Sequence, residues 1–371
     1  MNGSPLKILH ILTEKTAGGA GRQLSYLIAN ADRSAFSHTV VLPAGAESRR
    51  RIEEAGAKVV ECPELTASFC PAAALPLARV IREENPDIVH THSSMTGRVV
   101  AKRLRRVTVM TKHCSDLPPR PLRRGPLRLF SGLNLRVMTD TAIATDESAA
   151  LALICAGMPA KKIRLIYNGA PPVRKTSEQD RLRLRGSLGI PENALCVGLF
   201  SRLEPVKGAL QFVQAAALCL ARTDSIRFLV CGKGSLEKTM RELAERFGIA
   251  GKIVFAGYAE DVAPYMNLCD IIVSPSLGTE TSSLSLCEGM SAGLVPVVTD
   301  VGGNARLAEG CGKTVTPDDP PALADAILGL FRDPGLLRLY SEKAVRRYKE
   351  KYTAERMAAE THALYLSLVR K

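Results

Sequence analysis

Glu280 and Glu288, with seven residues between them, lie in the stretch IIVSPSLGTETSSLSLCEGMSAGLVPVV, residues 271–298. An apolar β-branched run gives way to a polar loop, then to a region where Leu284, Cys287 and Met290 recur every three residues, then to a second apolar run. This predicts strand, loop, helix and strand, the helix starting near Ser283 and stopping at Gly293, with Pro296 just beyond. A helix start offers unpaired N–H groups and the positive end of a dipole, both suited to an anion. Glu280 comes just before that end, and Glu288 lies about five residues in, roughly 7 Å along the axis. Two carboxylates that accept hydroxyl protons thus bracket one phosphate site, the layout of a nucleotide-sugar, whose diphosphate has hydroxyl-bearing rings on both sides. The competing reading is a solvated loop charge and a surface helix residue.

A second constellation is Ser201-Arg-Leu-Glu-Pro-Val-Lys-Gly208, which follows the apolar run LCVGLF. Arg202 and Lys207 sit five apart across a turn broken by Pro205. Two cations converging on a strand end suit a diphosphate leaving group, the guanidinium by directed hydrogen bonds and the ammonium as a point charge. Taken singly, such residues are usually solvated.

The elements that must hold these residues are legible as alternating runs. KILHIL, HTVVLP, KVVE, DIVHTH, TVMTK, TAIAT and IRLIY in the first half, and LCVGLF, IRFLVC, KIVFAG, DIIVSPS and VPVVTD in the second, read as strands buried on both faces. Helices are predicted between them, among them Gly21 to Ala29, Ala73 to Glu84 and Asp146 to Ala156. Such alternation predicts an α/β protein with doubly wound parallel sheets. At 371 residues the chain suits two such domains.

Composition narrows the function classes. Hydrophobic residues make up 46% and charged ones 23%, a globular balance, and no run reaches the roughly 20 apolar residues of a membrane span. A cytoplasmic location is the expectation, as the N-terminal segment has no leader pattern. Ten cysteines without a C-x-x-C pair, several in apolar runs as Cys155, Cys196, Cys219 and Cys231 are, read as buried thiols rather than a disulfide frame or zinc site. The net charge is +13, and residues 97–136 hold eleven Lys or Arg against the single acid Asp116. Within it, LPPRPLRRGPLRLFSGLNLR interleaves arginines with apolar residues. It reads either as a solvated loop and helix or as a surface that sits on an anionic membrane beside a lipid-linked acceptor. Nucleic acid is not expected, since the chain has no Trp, few aromatics and no nucleic-acid module.

The E-x7-E spacing between Pro275-Ser276 and EGMSAGLVPVV resembles the signature of the retaining GT-B glycosyltransferases of the family-4 (glycosyl transferases group 1) type. SRLEPVKG resembles that family's GRL-x3-KG diphosphate motif, with Ser for Gly at its head. The likeness spans nearly the whole chain, with the motifs in the family's order, and implies two Rossmann-like domains facing a central cleft. It implies that Glu280 contacts the donor sugar, Glu288 binds the nucleotide ribose, and the amides from Thr281, Ser282, Ser283 and Leu284 meet the diphosphate. The family commonly has Gly-Phe-Gly where Thr281 to Ser283 stand, a departure that bears on the choice of sugar.

Further roles follow from the same likeness. Gly18 and Gly19 would bring backbone amides to the donor phosphate and acceptor; Gly232 and Gly234 would form the turn beside the nucleotide. Tyr258 would lie near the base, His113 would touch donor sugar or acceptor, and Asn168-Gly169 would precede the linker. His90 and His92, on one face of a strand, read as structural. The implied domains are residues 1–172 and 173–352, with a helix over 353–371 returning to the first. The implied reaction moves a hexose-type sugar from a UDP-, GDP- or ADP-sugar to a glycan or lipid-linked acceptor. No D-x-D metal pair is evident, so neither metal nor other cofactor is expected. The rival readings are a GT-B nucleotide-sugar epimerase and a non-catalytic nucleotide-sugar or membrane-surface binding protein.

Overall fold

A computed structural model describes residues 4–16, 18–117, 132–133, 135–278 and 280–369. The chain divides into two compact units, the first made of Met1–Ala170 with Thr353–Lys371 and the second of Pro171–Tyr352.

In the first unit, β1 (Leu6–Leu12), β2 (Phe36–Leu42), β3 (Lys58–Glu61), β4 (Ile88–His92), β5 (Val107–Lys112), β6 (Thr141–Ala144) and β7 (Ile163–Leu165) form one sheet, ordered 3-2-1-4-5-6-7. Every pairing is parallel. Alternate residues feed opposite faces, as a pleated strand requires. Ile8 and Leu12 pack into one apolar layer with Leu24, Val40 and Ile88, while Leu9 and Ile11 pack into the other with Leu77, Ile81 and Val89. The helix Ala354–Val369 closes the first of these layers through Met357, Leu364 and Tyr365. It reaches the unit beside Gly169, where a Cβ would fall 2.1 Å from the Thr353 carbonyl oxygen, and Ala170 bridges Thr353 in parallel.

The second unit repeats the plan with β8 (Leu195–Phe200), β9 (Ile226–Cys231), β10 (Ile253–Gly257), β11 (Ile271–Ser274), β12 (Val295–Thr299) and β13 (Lys313–Val315), ordered 10-9-8-11-12-13. Its core joins Val197, Leu199, Phe228 and Val273 of the sheet to Phe212, Leu323 and Ile327 of the flanking helices. Strand β13 is absent from the sequence reading: three residues, one of them lysine, are too few for a pattern. In each sheet the strand order reverses once, between β1 and β4 and between β8 and β11. Ligands of open α/β sheets sit beyond the carboxyl ends of strands at such points.

Candidate functional site

The loops that leave β8, β9 and β11 of the second unit interlock. After β8, the turn Pro205–Lys207 ends at Gly208, whose φ of +68° and whose position would put a Cβ 1.8 Å from the Pro275 carbonyl oxygen. Only glycine allows both. The Leu277 N–H donates to the Val206 carbonyl at 2.9 Å, tying the β8 loop to the β11 loop. The β9 loop closes on the same place, since a Cβ on Gly232 or Gly234 would lie 1.9 Å from the Ser201 carbonyl oxygen or 2.4 Å from that of Leu203. These glycines therefore seat one loop on another.

That lattice brings Lys207 and Glu280 together. The Lys207 ammonium lies 2.5 Å from Glu280 Oε1, and the Ser276 hydroxyl donates to the same oxygen at 2.6 Å. Ser276 is itself held, its carbonyl accepting from the Thr299 hydroxyl at 2.7 Å. Glu280 is only 8% exposed and Glu288 3%, so neither is the solvated charge of the competing reading. Thr281, Ser282 and Leu284 are buried beside them. The helix Leu284–Ala292 begins after Ser283 in extended backbone, with no capping side chain and no acid in its first turn, and stops at Gly293 with φ +92°. Its positive end is thus free of a competing carboxylate from its own first turn.

Arg202 takes no part in the Lys207–Glu280 pair. Among the described residues it makes no ion pair, and its side chain is exposed. Its neighbour Glu204 accepts from the Ser235 hydroxyl at 2.6 Å and the Ser235 N–H at 3.1 Å; those bonds, with the Arg202 charge, hold its carboxyl below the usual range. Tyr258 is exposed, with the Lys233 ammonium 4.9 Å from its ring centre. Ser276, Glu204 and Thr299 carry no assigned role in the sequence reading; only the Pro-Ser pair before the first glutamate hinted at one of them.

Lys207→Ala would strip a buried carboxylate of its cation. The expected cost is about 2 kcal/mol, read as a lowered Tm, and adding Glu280→Gln should recover most of that stability without restoring turnover. A single variant that melts with the parent would show that the pair does not support the loop.

In the first unit, Gly18 precedes the helix Gly19–Ala29, and the Glu14 carboxylate lies over its start, accepting from the Gly21 N–H at 3.3 Å. A Cβ on Gly18 would fall 1.7 Å from Glu14 Oε1, while Gly19 faces open space. Asn168 is buried. His113 follows β5, bonded through Nε2 to His92 Nδ1 at 2.9 Å, and burial lowers its pKa to about 4.

The basic stretch 97–136 is only partly a free surface. Arg98 is buried and donates to the Met110 sulfur, Lys102 pairs with Asp140, and Arg106 donates to the Pro86 carbonyl at 3.2 Å. Arg103, Arg105 and Arg136 are exposed. Arg120, Arg123, Arg124 and Arg128 lie outside the described residues.

All ten cysteines are free thiols; Cys196, Cys219 and Cys231 are buried, but Cys155 is only partly so, contrary to the sequence reading. Among the described residues, His10, His90 and His92 form the one group of three whose ligating atoms could converge on a metal ion, lying within 4.8 Å of one another. Their nitrogens are already engaged: His10 with His92 at 3.3 Å, and His90 with the Tyr365 and Thr111 hydroxyls at 2.6 and 2.7 Å.

Comparison with known proteins places these motifs. A family model described as "Glycosyltransferase Family 4" matches residues 17–174, and one described as "Glycosyl transferases group 1" matches residues 191–333. EpsD of Bacillus subtilis is 28% identical over 79% of this chain and 80% of its own length. The UDP-Gal:alpha-D-GlcNAc-diphosphoundecaprenol alpha-1,3-galactosyltransferase of Escherichia coli is 24% identical over 79% of this chain and 78% of its own. Among solved structures, Anabaena HepE in complex with UDP-glucose superposes with a TM-score of 0.82 at 23% identity, covering 97% of this chain and all of HepE. Two family models, one on each parallel-sheet unit, together with glycosyltransferase relatives and GT-B neighbours, establish that this chain belongs to the group 1, family-4 glycosyltransferases and has the GT-B fold.

Proposed function

We propose that this glycosyltransferase takes a hexose-type sugar from a nucleoside diphosphate sugar and transfers it, with retained configuration, to a glycan or lipid-linked acceptor of cell-surface polysaccharide or glycolipid assembly. The observation that carries the proposal is the partly buried Lys207–Glu280 pair set at an uncapped helix start, with Arg202, a cation that makes no ion pair among the described residues, on the same group of loops. A leaving diphosphate gains negative charge as its bond to the anomeric carbon breaks. Arg202, Lys207 and the amides after Glu280 are the groups that would stabilise that charge. Glu280 and Glu288 accept hydroxyl protons of sugar and ribose, which fixes the donor. The acceptor oxygen bonds to the anomeric carbon, and its proton passes to the departing diphosphate oxygen. With no nucleophile identified, departure and attack on one face account for retention. Two cations and a helix end do the work a metal would otherwise do.

HepE was solved with UDP-glucose, and the Escherichia coli relative is named for a UDP-sugar donor and a diphosphoundecaprenol acceptor; both support a donor and an acceptor of these classes. A thermal-shift screen of UDP, GDP and ADP sugars tests the reading directly. The matching donor at 100 times its dissociation constant should add about 2.7 kcal/mol of stability. Transfer to acceptor should then persist in excess chelator, and complete loss would refute the metal-free reaction. A product formed from donor alone would instead indicate an epimerase.

We further propose a cytoplasmic protein that meets anionic membrane through the exposed cations of the 97–136 stretch. No described helix is long and apolar enough to cross a membrane. Pelleting with anionic vesicles at low salt, lost at high salt, is expected; binding unmoved by salt would reject the contact.

A further inference from the structure

Glu204 is the one acid in Ser201–Gly208, the turn that carries both Arg202 and Lys207. Beside a diphosphate it is a charge of the wrong sign. Leu203 anchors this part of the turn: it is fully buried, its N–H donates to the Lys233 carbonyl at 3.0 Å, and its carbonyl accepts from the Leu236 N–H at 2.9 Å. Arg202 before it is exposed, and Glu204 after it is partly exposed in extended backbone, so both charged side chains turn away from the core that holds Leu203. A carboxylate so placed has two kinds of partner within reach, the guanidinium two residues back or the polar groups of the β9 loop.

It takes the second. The Ser235 N–H donates to Glu204 Oε1 at 3.1 Å and the Ser235 hydroxyl to Oε2 at 2.6 Å, so one residue engages both oxygens. Hydrogen bonds to an ionised acceptor are the strong kind, and two of them satisfy the carboxylate without a cation. Of the two cations on the turn, Lys207 is committed to Glu280, while Arg202 makes no ion pair among the described residues. The Arg202 charge nevertheless bears on Glu204, adding to the bonds from Ser235 that hold its carboxyl below the usual range. Take away the Ser235 hydroxyl and Oε2 loses its donor, with a guanidinium close by to replace it.

We propose that Ser235 is a positioning residue: it holds the Glu204 carboxylate against the β9 loop and so keeps the Arg202 guanidinium open to the diphosphate of the donor. The use made of Arg202 rests on the function proposed above; the capture of Glu204 by Ser235 does not. The competing account is that the carboxylate merely caps the helix Glu237–Arg246, which starts two residues on. The two accounts differ in what a neutral side chain at position 204 does. A competing anion is removed by Glu204→Gln, whereas a lost cap is not repaired by it.

The test uses the full chain, with its matching donor and with inorganic pyrophosphate as the binding probe. In Ser235→Ala the released carboxylate competes for Arg202, so the pyrophosphate dissociation constant and the donor KM should each rise about fivefold, the upper worth of an exposed ion pair. The fall in kcat should be smaller, because bound diphosphate has already displaced the carboxylate. Adding Glu204→Gln should return both constants to the parent's, and in an Arg202→Ala background Ser235→Ala should add nothing. No rise in the single variant, no recovery in the double, or a full further rise without Arg202 would each overturn the proposal. A readout apart from catalysis is the Nε–H signal of Arg202 in protein labelled with 15N-arginine, which should shift in Ser235→Ala and return in the double variant. If it does so while Arg202→Ala binds pyrophosphate and turns over as the parent does, the role of Arg202 in the reaction fails and the hold of Ser235 on Glu204 stands.

Discussion

Lowering the pH from 7 to 5 should unfold the first unit while the second stays folded. All six histidines of the chain, His10, His38, His90, His92, His113 and His362, lie in the first unit. Each is held below its ordinary pKa of 6.5, chiefly by burial: His38, His113 and His362 at about 4, His90 at about 3, His10 and His92 well below 6.5. Above 6.5 native and unfolded chains are equally neutral and the histidines do not affect stability. Below it the unfolded chain takes up protons that the native rings refuse, so stability falls with pH until about 4, where the native rings begin to accept them. At 1.36 kcal/mol per pH unit, pH 5 costs about 2 kcal/mol per histidine. Four such rings reach the scale of a whole domain's stability, about 5–15 kcal/mol. Hydrogen exchange followed by mass spectrometry should show residues of β1, β4 and the helix Ala354–Val369 losing protection together near pH 5, and β8 to β12 retaining it. Loss in both units at one pH, or in neither, would contradict the expectation.

Arg202→Ala should lower turnover by about 10²–10³-fold, the usual effect of removing one donor from a developing oxyanion. The side chain is exposed and makes no ion pair among the described residues, so its removal should shift stability by less than about 0.5 kcal/mol. This combination separates the arginine from Lys207, whose loss also loosens the loop. Arg202→Lys should recover part of the rate, because an ammonium supplies charge without the directed fork of a guanidinium. The measurement is turnover at saturating donor beside a melting curve. Turnover close to the parent's would remove Arg202 from the reaction and leave the leaving group to Lys207 and the helix amides.

The fold was legible because local pattern and global topology agree. Seven strands of the first sheet and five of the second announce themselves as β-branched runs, and the helix after Ser283 stops at Gly293, whose left-handed backbone is the glycine stop the pattern announced. Lys207 and Glu280 could be named from their motifs. That they pair, and that Ser276 completes the pair, could not, since 73 residues separate the two charges and it takes the fit of Gly208 on Pro275 and the Leu277–Val206 bond to close the gap. The buried histidines of the first sheet show the same limit more sharply. Alternation put His90 and His92 on one face, but His10 and His38 join them only through strand register, which no single strand encodes. His362 arrives against Phe36, with ring centres 4.4 Å apart, on a helix from the far end of the chain.

Because Ala170 bridges Thr353, the polypeptide leaves the first unit and comes back to it at one spot. On a ribosome this sets an order of events. Residues 171–352 are continuous and can complete their core once they have emerged, whereas the part of the first unit made before them must wait, one wall missing, until Met357 and Tyr365 have been synthesised. A stop codon at position 353 would therefore spare the later half of the nascent chain and leave the earlier half open to chaperones and proteases.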